Sequence, residues 1–205
     1  MGKLFFMDRY KKDKGEKMGT SLVARIKKIK DVTNKDIPGI VSDILEEYSI
    51  ETIPVPIVQL AKKFCFSIFQ QEFDRDNISG IIAIDPELRE KFGNDKIITV
   101  NTKDNLGHQR FTIAHELAHY LFDFNENLSI QYYNAYDTND TNKEIESRAN
   151  FFAANLLMPK DKFEKKYNEY IGTCTLYDTV LKLSDDFQVY TSAINRRIKE
   201  LSLDK

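Results

Sequence analysis

The stretch that decides the fold reads Arg110-Phe111-Thr112-Ile113-Ala114-His115-Glu116-Leu117-Ala118-His119-Tyr120-Leu121-Phe122. Its apolar residues recur at helical spacing, which predicts a helix from Phe111 to Phe124. The chain has three histidines, and two of them, His115 and His119, stand four residues apart here. Residues at that spacing lie on one face of a helix, one turn apart. The stretch therefore predicts a helix that buries an apolar stripe and carries its histidine pair at the border of that stripe, where a cleft can form.

This histidine pair has the spacing of a metal site. Two imidazoles one turn apart can bind a single ion at the short distances that zinc requires. Glu116 lies about 100° further round the helix, where a carboxylate can act as general base on a water at the ion without being a ligand. Since catalytic zinc usually has three protein ligands, a third must come from elsewhere in the chain.

The next predicted helix, Thr141 to Met158, supplies the best candidate for that ligand. Glu146 lies about 65° from the centre of its apolar stripe, at the border, and small alanines nearby allow a close helix contact. Asn150, one turn later, can accept a hydrogen bond from the far nitrogen of a ligating histidine. The spacing leaves three alternative third ligands open, which are Glu144, Asp137 and Asp123.

The group that would stabilise an oxyanion is not fixed by any motif. We do not expect His108 to reach the same ion, because it lies upstream of the motif, but it is a candidate oxyanion donor. The tyrosines close to the motif or in the polar stretch between the two helices are candidates too, and they are Tyr120, Tyr132, Tyr133 and Tyr136.

Around the motif, helical patterns come first, then a cluster of short strands, then more helices. The predicted strands are Cys65–Phe69, Ile78–Ile84 and Lys96–Val100, and a turn-rich segment joins the last two. Strands and helices do not alternate, so we predict an α+β fold. A small, mostly antiparallel sheet packs on the histidine helix in this prediction, and the C-terminal part is helical.

Composition limits the class of protein. The 205 residues are 41% hydrophobic and 30% charged, with a net charge of −2, as in an ordinary globular chain. The longest apolar-rich stretch, Ala149 to Pro159, is shorter than the roughly 20 residues that a membrane helix needs. Two cysteines do not form a disulfide framework, and the N-terminus lacks the apolar core of a signal peptide. We therefore expect a cytoplasmic protein with no membrane segment.

The charge distribution suggests three regions. Residues 1–35 hold 11 basic and 4 acidic residues, a net of +7, so the remainder carries −9. Such a basic arm can contact nucleic acid or an acidic partner, and its composition also suits partial disorder. We assign residues 36–172 to the metal-site domain. Residues 173–205 are assigned to a helical segment whose sequence pattern is like that of a helix-turn-helix. Nucleic acid is not expected as the main partner, although Arg196, Arg197 and Lys199 could face phosphates.

The sequence resembles the ImmA/IrrE family of metallo-endopeptidases over about residues 40 to 200. Besides Arg110 to Tyr120, the resemblance rests on Glu146-x-x-Ala149-Asn150-x-Phe152-Ala153-Ala154-x-Leu156-Leu157-Met158-Pro159. A weaker part of it lies in Ser79-Gly80, in Ile97 to Asn101 and in the tail Phe187 to Ile198. The family often has glycine where Ala118 stands here.

The resemblance implies a gluzincin-like zinc peptidase with a zincin-like core. His115, His119 and Glu146 would hold one Zn²⁺, with Mn²⁺ or Fe²⁺ as alternative metals, and Glu116 would be the catalytic base. The substrate it implies is a helix-turn-helix repressor, whose site-specific cleavage switches on genes of a mobile element, a prophage or a stress response. The alternative is a regulator or toxin–antitoxin component that binds a partner or DNA and retains the metal site without turnover.

Overall fold

A computed structural model gives the structure of the chain, and it describes residues 5–6, 19–74, 78–123 and 140–204. The predicted α+β class is confirmed. The helices of the described part are α1 Gly19–Ile26, α2 Ile37–Glu47, α3 Ile57–Lys63, α4 Leu88–Phe92, α5 Leu106–Phe122, α6 Asp140–Leu157, α7 Lys160–Ile171, α8 Leu176–Phe187 and α9 Thr191–Glu200. The strands are β1 Phe5–Phe6, β2 Ser67–Gln71, β3 Gly80–Ile84 and β4 Lys96–Asn101. None of the helices described combines the length and apolar character needed to cross a membrane.

The sheet is small and mixed, with strand order β1-β2-β4-β3. β3 is antiparallel to β4, with Gly80 opposite Val100 and Ile84 opposite Lys96, and β1 is antiparallel to β2. Two of the three strand pairings are therefore antiparallel, as predicted, and β2 pairs with β4 in parallel. The parallel pairing arises because the chain passes through β3 and α4 before it returns beside β2. As a result β3 lies at one edge of the sheet.

The histidine helix α5 lies between the sheet and α6, and this position buries nearly all of it. Asn105 caps α5, its side chain accepting a hydrogen bond from the backbone N–H of His108, so the helix begins five residues before the predicted start. Ala114 and Ala118 on α5, like Ala149 and Ala153 on α6, are fully buried. Small side chains on both helices let the two backbones approach closely, which brings α6 within reach of the histidines.

Several local features differ from the predictions. The segment between β3 and β4, which its composition marks as turn-rich, contains the short helix α4, closed by Gly93 in the left-handed conformation. β2 begins at Ser67, because Cys65 has a positive φ and belongs to the turn after α3. Within the predicted basic arm, α1 buries Leu22, Val23 and Ile26 in the core. The three-region division stays a prediction.

The C-terminal helices use one of their basic residues for packing. Arg197 is only 2% exposed, and its guanidinium donates to Asn155 Oδ1 at 3.0 Å and Glu200 Oε2 at 3.3 Å. The prediction that Arg197 could face phosphates is therefore wrong, because its donors point into the protein. Arg196 and Lys199 are exposed on the same helix.

Candidate metal centre

The two motif histidines meet at their Nε2 atoms. His115 Nε2 and His119 Nε2 are 2.9 Å apart, and the ring centroids are separated by 4.6 Å at a steep angle. The His119 side chain is completely buried, whereas that of His115 is 16% exposed. The i,i+4 spacing on α5 produces this convergence, as predicted, and leaves one side of the pair open to solvent through His115.

Glu146 on α6 completes a group of three candidate ligands. Its Oε2 lies 3.2 Å from His115 Nε2 and its Oε1 lies 3.4 Å from His119 Nε2. All three ligand atoms fall within 4.8 Å of one another. Ligand atoms placed tetrahedrally around zinc at 2.0–2.1 Å are separated by about 3.3 Å, so these spacings suit such an ion. The donor set, two imidazoles and a carboxylate, is also one that zinc accepts.

The alternative third ligands are placed differently. Glu144 is exposed on α6, away from the histidines. Asp123 lies at the end of α5 and contacts the far nitrogen of His119 instead of the converging Nε2 atoms. Asp137 lies outside the described residues. Of the candidates whose positions are described, Glu146 alone joins the histidine pair.

Both histidines are held from behind through Nδ1. His115 Nδ1 lies 3.1 Å from Asn150 Oδ1, and His119 Nδ1 lies 3.1 Å from Asp123 Oδ2. An acceptor oxygen at each Nδ1 requires that nitrogen to carry the proton, which leaves Nε2 available to a metal. The geometry matches the role proposed for Asn150. The supporting role of Asp123 was missed, although its i,i+4 spacing from His119 at the helix end was a usable signal.

Glu116 is the buried carboxylate beside the three candidate ligands. The residue is 4% exposed, and its Oε2 has no hydrogen-bond partner among the described residues. Burial raises the pKa of the Glu116 carboxyl, while the nearby charges of His115 and His119 oppose that rise. A raised pKa suits a group that must accept and return a proton near neutral pH. The unpartnered oxygen also fits a site that normally contains a water or substrate atom.

The ligand group has strongly shifted pKa values without a metal. Burial alone would lower the pKa of His119, but hydrogen bonds to Asp123 and Glu146 outweigh it and raise that pKa to about 9. Burial likewise works against ionisation of Glu146, yet both histidines hold its pKa down at about 2. His119 and Glu146 therefore form an oppositely charged pair at neutral pH, and binding of a cation would release the His119 proton.

β3 passes close to Glu116 at Gly80. A Cβ at Gly80 would lie 2.3 Å from Thr112 Cγ2 and 3.4 Å from Glu116 Oε1. Only glycine permits this approach, which brings an edge-strand backbone alongside the candidate base. Residues 78–81 at this end of β3 are partly exposed, so an extended chain could reach them.

The candidate oxyanion donors are spread over the site. The Tyr120 hydroxyl accepts from Lys96 Nζ at 2.8 Å. Lys96 is opposite Ile84, four residues or about 13 Å along β3 from Gly80, so this hydroxyl lies at the other end of the strand. His108 lies at the Gly80 end, with Nε2 3.3 Å from Ser79 Oγ, two helical turns before His115. The remaining three, Tyr132, Tyr133 and Tyr136, lie outside the described residues.

Comparisons with known proteins bear on the family and the fold of the chain. The family model described as the IrrE N-terminal-like domain, Peptidase M78, matches residues 68–199. Among curated proteins, no sequence matches the chain. One matching solved structure is a Mycobacterium tuberculosis transcriptional regulator, with a TM-score of 0.53 and 15% identity. The match covers 90% of this chain but 51% of that one, so the chain spans about half the length of that protein and the likeness concerns the fold.

Proposed function

The chain belongs to the peptidase family of IrrE N-terminal-like domains, and from that premise we propose that it is a zinc-dependent endopeptidase of the cytoplasm. In this proposal His115, His119 and Glu146 bind one Zn²⁺, and Glu116 is the catalytic base. Zinc is the default metal for two histidines and a carboxylate, with Mn²⁺ and Fe²⁺ as alternatives that the same donors accept.

The observation that carries the proposal is the buried, unpartnered Oε2 of Glu116 next to the ligand group. A buried carboxylate oxygen without a hydrogen-bond partner destabilises the folded protein. Such an oxygen is therefore typical of a functional site. A structural zinc site is usually closed by four protein ligands, whereas here three candidate ligands are accompanied by a fourth group, Glu116, that is not among them. The fourth group therefore favours catalysis over the alternative of a partner-binding protein without turnover.

The residues divide the work of hydrolysis between them. A divalent cation held by His115, His119 and Glu146 would supply Lewis acidity toward the scissile carbonyl and would lower the pKa of a bound water. Glu116 accepts the proton of the attacking water and returns it to the leaving amine. Asn150 and Asp123 keep the two imidazoles in the orientation that binding requires. His108 stays a candidate for contact with the developing oxyanion or the adjacent substrate backbone.

We place the substrate backbone along β3. Asn101 N–H donates to Ser79 O, and Asp85 N–H donates to Asp95 O, so the odd-numbered residues of this strand bond to β4. In an antiparallel pair the intervening residues point the other way, which directs the N–H and C=O of Gly80 away from β4. An extended peptide that pairs with Gly80 would pass beside Glu116, and strand addition of this kind is a common mode of peptide recognition.

The proposed substrate is a DNA-binding repressor of the helix-turn-helix class, as the resemblance to the ImmA/IrrE family implies. The test is co-expression with the helix-turn-helix regulator encoded nearest to this gene, with the intact mass of the regulator as the readout. Wild type should yield a discrete pair of fragments, whereas Glu116→Gln should leave the regulator intact and still bind zinc. Glu144→Gln, an exposed glutamate two residues from Glu146, is the matched control and should cleave normally.

An intact regulator with zinc-loaded wild type would contradict repressor cleavage. If wild type and Glu116→Gln then bound the regulator equally, the partner-binding alternative would replace the peptidase. Fragments in both proteins would show that another protease is responsible.

A further inference from the structure

We propose that Arg148 is a positioning residue for the metal centre, acting on the ligand His119 through Asp123. This inference rests on the proposed metal site and does not depend on peptide hydrolysis. Arg148 lies on α6, two residues after Glu146 and two before Asn150. One helix would then supply a ligand and the supports of both histidines.

A continuous series of hydrogen bonds connects His119 with Arg148 and the backbone beyond it. His119 Nδ1 donates to Asp123 Oδ2 at 3.1 Å, and the other carboxylate oxygen, Oδ1, accepts from Arg148 Nη2. Arg148 Nη1 donates to the backbone carbonyl of Val32 at 3.3 Å. The planar guanidinium therefore holds two partners at once, which a lysine could not do with the same geometry.

Burial restricts the movement of the side chains in this series. The side chains of His119 and Asp123 are 0% and 6% exposed, and that of Arg148 is 22% exposed. A carboxylate in this position needs a cationic partner, since an unpaired charge is costly where water is excluded. Without Arg148, Asp123 would turn toward solvent or lose its fixed orientation, and His119 would lose the acceptor that aims its Nε2.

The same series of hydrogen bonds connects the N-terminal part of the protein to the metal centre. Val32 is buried in the connection between α1 and α2, before the range that the family model matches. Arg148 thus joins a segment outside the matched domain to a candidate ligand within it. The N-terminal residues would help to set the geometry of the site through this contact.

The test is a double-mutant cycle on metal affinity, measured by competition of Zn²⁺ with a chelator on the full chain. Arg148→Met and Asp123→Asn should each weaken zinc binding by about 10–100-fold, the range for changes behind a ligating histidine. Because both residues act through the same series of hydrogen bonds, the double variant should bind zinc within about threefold of Asp123→Asn. Arg148→Lys should fall between wild type and Arg148→Met, since it keeps the charge but only one contact.

Two controls separate positioning from general loss of structure. Asn150→Ala acts on the other histidine, so its effect should multiply with that of Arg148→Met. Arg25→Met removes an exposed ion pair to Asp43 and should leave zinc affinity unchanged. Circular dichroism at the assay temperature would confirm that each variant is folded.

An Arg148→Met protein that is folded and binds zinc like wild type would overturn the inference. Effects of Arg148→Met and Asp123→Asn that multiply would also overturn it, because the two residues would then act separately. Wild type that binds no zinc would refute the proposed function itself, so the two failures are distinguishable.

Discussion

The close approach of β3 to α5 at Gly80 predicts that Gly80→Ala destabilises the folded protein. It also predicts that a second substitution, at Thr112, reduces this loss. The new Cβ would lie 2.3 Å from Thr112 Cγ2, whereas carbon atoms in contact are normally about 3.5–4.0 Å apart. The same Cβ would lie 3.2 Å from the carbonyl oxygen of Thr99 in β4. Relief requires more than 1 Å of movement of the Thr112 methyl group or of the strand, and Thr112 is itself only 6% exposed.

Overpacking of this kind typically costs about 1–3 kcal/mol, so we expect Gly80→Ala to lower the free energy of unfolding by about 2 kcal/mol. For a chain of this size that corresponds to a fall in Tm of about 4–8 °C. Chemical denaturation monitored by circular dichroism measures the free energy directly. Gly39→Ala is the control, because a Cβ there meets nothing within 4 Å in α2 and should stabilise the helix by up to about 1 kcal/mol.

The second half of the prediction is a rescue. Thr112→Ser removes Cγ2 and costs about 1 kcal/mol by itself through the lost methyl group. In that background Gly80→Ala should cost about 1 kcal/mol or less, because only the Thr99 contact stays tight. A Gly80→Ala protein as stable as wild type, or a cost that Thr112→Ser leaves unchanged, would refute the reasoning that β3 presses on α5 at this point.

Three further predictions follow from the ligand group and the C-terminal packing. Because the raised pKa of about 9 means that His119 must lose a proton before it binds a metal, zinc affinity should rise about tenfold per pH unit from pH 6 towards 9. A chelator competition that is flat over this range would contradict the charged metal-free site. Glu146→Gln should weaken zinc binding by more than about 100-fold, beyond the range for outer contacts, while equal affinity in Glu144→Gln and Glu146→Gln would reject the ligand assignment. Arg197→Met should lower the free energy of unfolding by about 2 kcal/mol, because it removes the donor to the buried Asn155 Oδ1, while Asn155 Nδ2 keeps its bond to Phe151 O. The exposed Arg196→Met should change it by less than about 0.5 kcal/mol, and equal effects of the two would contradict the packing role.

The group of three candidate ligands could be predicted from the sequence because it depends on helical periodicity. His115 and His119 share a face by their spacing alone, and Glu146 is at the border of the stripe that α6 buries against α5. Asn150 follows from Glu146 by the same one-turn step. These are local relations within single helices, which a periodic pattern specifies well.

The features that escaped prediction depend on contacts between distant segments. Arg148 meets Asp123 and Val32 only because α5, α6 and the α1–α2 connection converge in the folded chain. The parallel pairing of β2 with β4 likewise depends on the position of β3, which lies at the edge of the sheet on the other side of β4. The burial of Arg197 shows the same limit, since a basic residue on an amphipathic helix ordinarily faces water.

The central claim is that one metal ion binds between α5 and α6, and anomalous diffraction at the zinc edge from zinc-loaded crystals tests it most directly. We predict a single strong peak within about 2.0–2.2 Å of His115 Nε2, His119 Nε2 and a carboxylate oxygen of Glu146. A peak bound by other groups, or zinc-loaded protein with no peak between these three side chains, would contradict the account.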